Sequence, residues 1–165
     1  MNKKFIGGVV GGTLILLALG MWGATRLAQT EAQVLSATDG AGQVELGEKK
    51  YDFGEVTLNG GKIEKVFAVK NSGDGELTLG NVSTSCMCTT AQVKTSEDVS
   101  PVFGMHDKTG WQGKLGPGET AEVKVIFDPA FHGPQGRGAI TRIVKFQTSD
   151  PARRSVELTL TGVVK

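Results

Sequence analysis

Thr120-Ala121-Glu122-Val123-Lys124-Val125-Ile126-Phe127 decides the fold. Ala121, Val123, Val125 and Phe127 fall on one side of an extended chain, and Glu122 and Lys124 on the other. Successive Cβ atoms leave a strand on opposite faces, so this alternation is the mark of a half-buried β-strand. Gly116-Pro117-Gly118-Glu119 before it and Asp128-Pro129 after it are turn-forming clusters. A strand with one apolar face needs partners, and the flanking sequence supplies them.

Upstream, Tyr51–Val56 reads as a strand ended by Asn59-Gly60-Gly61. Lys62–Asn71 reads as a second, with Ile63, Phe67 and Val69 on one face, and it runs into the turn Ser72-Gly73-Asp74-Gly75. Glu76–Ser83 is a third, and Cys86–Val93 a short fourth after a bend. The polar interval from Lys94 to Leu115 reads as a long loop. Downstream, a breaker-rich loop at Asp128–Gly138 precedes Ala139–Thr148, which carries Ile140, Val144 and Phe146 inward. Asp150-Pro151 then turns into Ser155–Lys165, with Val156, Leu158 and Leu160 facing in. Short alternating segments at this spacing predict an all-β domain, an immunoglobulin-like antiparallel β-sandwich of about seven strands over residues 49–165.

The N-terminal part is different in kind. Met1-Asn2-Lys3-Lys4 precedes an uncharged run from Phe5 to Gly23. A membrane core of about 30 Å needs roughly 20 apolar residues in a helix. The small-residue site Ala18-Leu19-Gly20 is followed by Met21-Trp22, still apolar, which favours an uncleaved signal anchor over a cleaved peptide. The positive-inside rule leaves residues 1–4 in the cytoplasm, makes 5–23 a transmembrane helix and puts the rest in a periplasm or on a cell surface. Residues 24–48, rich in Ala, Gln, Thr, Ser and Gly, read as a flexible stalk that keeps the domain close to the membrane. Gly7, Gly8, Gly11 and Gly12 give two overlapping G-x-x-x-G spacings, so the anchor is either an ordinary glycine-rich helix or the seam of a homodimer.

Charge excludes one class of partner. The chain holds 18 Lys and Arg against 17 Asp and Glu, and Lys3 and Lys4 lie before the span, leaving 16 basic residues beyond it. A nearly neutral exported part with no basic tract has no electrostatic footprint for nucleic acid. Two histidines and no G-x-S-x-G leave no hydrolase layout. Gly60-Gly61 and Gly73-x-Gly75 sit in hairpin turns, not before helices, so they cradle no phosphate. Asp52, Glu55 and Asp128 sit beside turns, and Arg153-Arg154 is a solvated turn. The expectation is a non-enzymatic module.

An ordered series of motifs then makes the chain familiar. It runs Asp52-Phe53-Gly54-Glu55-Val56, Phe67-x-Val69-Lys70-Asn71-x-Gly73, Ser85-Cys86-x-Cys88-Thr89, Pro117-Gly118-Glu119, Phe127-Asp128-Pro129, Thr148-x-Asp150-Pro151 and Leu160-x-Gly162-x-Val164. Over residues 50–164 this resembles the bacterial domain of unknown function 1573, an immunoglobulin-like module related to hydin-type domains. The resemblance implies an exported or surface β-sandwich without an assigned activity. Met87 stands where the commoner form of the motif has glycine, and Ser100–Trp111 is an insertion beyond it.

Both cysteines of the chain lie in the C-x-C at Cys86 and Cys88. In an extended strand their Cα atoms would be about 6.5–7 Å apart, at the limit for a disulfide, so a bridge requires a local turn. Strands alternate in direction, so the connection after Glu76–Ser83 and that after Thr120–Phe127 share one end of the sandwich. That brings His132 toward both cysteines. Met105 and His106 join them if the insertion folds to the same end. Cys86, Cys88, His132, Met105 and His106 would then form a soft sulfur and nitrogen set suited to Cu(I), and two sulfurs with imidazole also suit Zn²⁺. The expectations are, in order, a membrane-held protein-interaction module with no cofactor, its C-x-C closing one end; an extracytoplasmic copper-binding domain; and a thiol redox protein. For the last, the pair lacks a helix N-terminus to activate a thiol.

Overall fold

The computed structural model describes residues 41–107 and 109–165. The expected cytoplasmic N-terminus, transmembrane helix, glycine seam and most of the stalk lie outside the described residues. Among the described residues, no helix is long and apolar enough to cross a membrane.

Among the described residues, nine strands pack as two sheets: β1 (Val44–Leu46), β2 (Lys50–Val56), β3 (Ile63–Asn71), β4 (Leu77–Thr84), β5 (Thr89–Lys94), β6 (Gln112–Leu115), β7 (Thr120–Phe127), β8 (Gly138–Thr148) and β9 (Ser155–Val164). One sheet runs β1-β3-β7-β5 and the other β2-β9-β8-β4-β6. All pairings are antiparallel except β2 with β9. This is the expected all-β two-sheet sandwich, with the parallel β2–β9 pair a departure from the wholly antiparallel expectation, and Thr120–Phe127 is a strand with the bounds read from its alternation. Ala121, Val123, Val125 and Phe127 are all buried, and the first three share the main core with Phe146, Leu158 and Leu160 of the opposite sheet.

Two strands exceed the expected seven. β1 falls in the expected stalk, so the sandwich begins before residue 49; β6 falls in the expected loop. Both are too short to carry a readable alternation, and pairing creates them: Val44↔Asn71 holds β1 to β3, and Leu77↔Leu115 holds β6 to β4. The rest of the interval is not a free loop either. Ala91 N donates to Phe103 O at 2.9 Å and Phe103 N to Ala91 O at 2.8 Å, zipping the insertion along the edge of β5. Phe103 is only 1% exposed and joins the main core, with Trp111 tilted against it at 5.8 Å. Covering an edge in this way removes a template for unwanted strand pairing.

The two ends of the sandwich are built differently. At the end where residue 41 joins the fold, Val44 N donates to the buried Asp150 carboxylate at 2.9 Å. Asn71, fully buried, accepts from Gln43 N and Gly73 N and donates to the carbonyls of Gly75 and Leu115. The connections β3–β4, β6–β7 and β8–β9 meet here. At the opposite end lie the connections β4–β5 and β7–β8 and the C-terminal Lys165, whose amide donates to Val56 O at 2.8 Å. Beneath that end sits a separate small cluster of Leu58, Cys88, Phe127, Ile140 and Val164.

Candidate thiol site

Residues 85–88 leave the strand conformation between β4 and β5. Thr89 N donates to Cys86 O at 3.1 Å, closing a tight turn over the C-x-C. The turn is held from three sides. Ser85 exchanges hydrogen bonds with Ile143 of β8, amide to carbonyl and hydroxyl from amide, each at 2.9 Å. Asp128 N, at the end of β7, donates to Cys88 O at 2.9 Å. Thr84 Oγ1 lies 3.0 and 2.9 Å from the carbonyl oxygens of Cys86 and Thr89. These contacts give Ser85, Thr89 and Asp128 of the motif series a common purpose, which is to fix the cysteine turn to both sheets.

The expected extended geometry is thereby corrected. The turn brings the Cα atoms of Cys86 and Cys88 to 5.3 Å, and the two sulfurs are bridged. That separation lies inside the range a disulfide accepts. The sulfurs are not equivalent. Cys88 is 3% exposed and belongs to the apolar cluster below the turn, whereas Cys86 packs against that cluster only in part. Met87, between them, points outward at 55% exposure.

His132 is where the strand topology predicted it. Asp128 Oδ1 accepts from Ala130 N at 3.0 Å, starting the turns that carry the chain to His132 and a short 3-10 helix at Gly133–Gly136. His132 Nε2 lies 3.3 Å from Cys86 Sγ, and Phe131 packs edge-on against the imidazole at 5.0 Å. His132 itself is exposed. His106 does not join this group of ligand atoms, and both it and Met105 are exposed in the insertion.

Arg142 is the neighbour of the cysteine pair that the sequence reading missed. Its Nε donates to Cys88 Sγ at 3.0 Å and its Nη1 to Thr141 O at 2.9 Å. The guanidinium lies 5.8 Å over the Phe127 ring, and burial pushes its pKa below the usual range. The signal was in the alternation of β8: Ile140, Val144 and Phe146 face inward, and period two puts Arg142 on that same face. A charge on an inward position requires a partner. Here the partner is a sulfur. The pair lacks a helix N-terminus, as expected from the sequence, but a cation beside a sulfur has the same favourable effect on a thiolate.

Residues 44–101 match a family described as protein of unknown function (DUF1573). No curated protein matches the chain. Among solved structures, a protein of unknown function from Porphyromonas gingivalis is similar at 19% identity with a TM-score of 0.56, covering 81% of this chain and 50% of that one. The chain thus spans half the length of that relative. The PapD-like domain 7 of human CEP192 is similar at 17% identity with a TM-score of 0.48, covering 82% of this chain and 95% of that one. At these identities the likeness concerns the fold.

Proposed function

We propose that the chain is a membrane-anchored, extracytoplasmic β-sandwich that engages protein partners by reversible thiol–disulfide exchange at Cys86 and Cys88. The observation that carries this reading is the asymmetry of the pair. The more accessible sulfur, Cys86, faces an imidazole at 3.3 Å, and the buried one, Cys88, faces a guanidinium at 3.0 Å.

That arrangement gives the exchange a direction. A partner thiol loses its proton to His132 and attacks Cys86 Sγ, the sulfur that can be reached. The Cys86–Cys88 bond breaks, a partner–Cys86 disulfide forms, and the electron pair leaves on Cys88 Sγ, where the Arg142 N–H stabilises it. Leaving-group stability is one of the factors that set exchange rates. A second partner thiol then attacks the mixed disulfide, so the partner dithiol is oxidised and this pair reduced by two electrons. Without a second thiol, the partner stays covalently held until Cys88 returns to reform the bridge. An exported location agrees with this chemistry, because disulfides persist outside the cytoplasm.

The bridge is also badly placed to be a structural staple. It closes a ring of three residues within one turn and ties no two strands together. The test is the full-length chain in detergent, reacted with reduced glutathione in the presence of a metal chelator and quenched with acid. Glutathione is expected on Cys86 and not on Cys88. Equal adducts on the two sulfurs, or opening no faster than in a free peptide of residues 84–90, would refute the reading.

A further inference from the structure

The same turn holds a second chemistry once the bridge is open. The ligand atoms of Cys86, Cys88 and His132 all lie within 4.8 Å of one another. A metal ion takes sulfur at about 2.3 Å and imidazole nitrogen at about 2.0 Å. Three such donors in a plane around one ion are therefore separated by about 4 Å, so once the bridge is broken the two sulfurs must part from bonding distance for the set to hold a metal. The segments that carry these donors are already held: Ser85, next to Cys86, is bonded to β8, Cys88 O accepts from Asp128 N at the end of β7, and His132 lies on the turns that follow Asp128.

We propose that the reduced pair with His132 is a three-donor Cu(I) site, and that metal and disulfide are mutually exclusive occupants of this turn. The donor set selects the ion. Two soft thiolates with one imidazole suit Cu(I), while structural Zn²⁺ takes four protein ligands. Among the described residues no further histidine, cysteine or carboxylate joins the group, so a fourth protein ligand is lacking. Charge selects it too. Two thiolates, a neutral imidazole and Cu(I) carry one net negative charge, and the guanidinium donating to Cys88 Sγ balances it. Binding releases the thiol protons and changes no oxidation state. The loop also supplies a route for the ion, since His132 is exposed and Cys86 is partly so.

This site needs only a reducible bridge and not the exchange reading, so each can fail alone. The experiment is a titration of the full-length chain in detergent, reduced with a phosphine, desalted without oxygen and offered Cu(I) in competition with bicinchoninate. One Cu(I) per chain is expected on the reduced chain and none on the oxidised chain. X-ray absorption should give two sulfur neighbours at about 2.3 Å and one nitrogen at about 2.0 Å. His132→Gln, an exposed position whose circular dichroism should stay that of the parent, is expected to weaken Cu(I) binding at least tenfold. Equal uptake by the oxidised chain, binding untouched by His132→Gln, or Zn²⁺ held as tightly as Cu(I) would each overturn the proposal. The glutathione adduct on Cys86, read under chelator, reports the exchange reading independently.

Discussion

Opening the Cys86–Cys88 bridge should cost the sandwich little stability. A disulfide acts largely by restricting the unfolded chain, and in the chain-entropy account its effect grows with the loop that it closes. The loop here is Cys86, Met87 and Cys88, three residues at a sequence separation of 2. The same relation gives about 1.6 kcal/mol at 25 °C for three residues, against about 4.7 kcal/mol for a 100-residue loop. For a domain of this size that corresponds to a fall in Tm of about 6 °C. The turn itself should survive, because the Thr89 amide, the Ser85 contacts to Ile143 and the Asp128 amide hold it without the bridge. Thermal unfolding followed by circular dichroism, with and without a phosphine reductant, measures the difference. A loss above about 3 kcal/mol, or a reduced chain that does not fold, would mean that the bridge is a structural staple, and the case for chemistry at this turn would lose one of its supports.

Three substitutions separate fold from site. Phe103→Ala should cost about 3–5 kcal/mol in urea unfolding, because it empties a core position and loosens the segment that covers β5. Asn71→Ala should cost about 3 kcal/mol or more, since it strands the amides of Gln43 and Gly73 and the carbonyls of Gly75 and Leu115. Arg142→Leu should leave unfolding within about 1 kcal/mol of the parent, or raise it, because an apolar replacement of a partly buried charge is often neutral. The same variant should slow opening by glutathione at least tenfold, since a charge-assisted hydrogen bond to the leaving sulfur is worth about 1.5–3 kcal/mol. Unchanged opening in Arg142→Leu would remove Arg142 from the mechanism.

What was legible in the sequence followed from length and period. β7, β8 and β9 each alternate over eight residues or more, so their faces could be read directly, and the common end of the β4–β5 and β7–β8 connections placed His132 beside Cys86. β1 and β6 were not legible, because three or four residues with at most two apolar positions carry no period; they are strands only because β3 and β4 pair with them. The turn at the C-x-C was also hidden, since Ser85 and Cys88 hold it through contacts to β8 and to the end of β7 that are remote in sequence. Arg142 was legible and overlooked. Following the alternation of β8 through every position, and not only the apolar ones, puts a guanidinium on the inner face and asks what it meets.

The bond between Val44 and Asp150 sets a distance as well as a register. It fixes the point at which residue 41 joins the fold at one pole, and Cys86, His132 and Arg142 occupy the other. Eight residues of β4 separate the poles, roughly 25 Å at the rise of an extended strand. A partner seated at the Val44 and Asp150 pole would therefore leave Cys86 open, because it would sit about the length of a strand from the sulfurs.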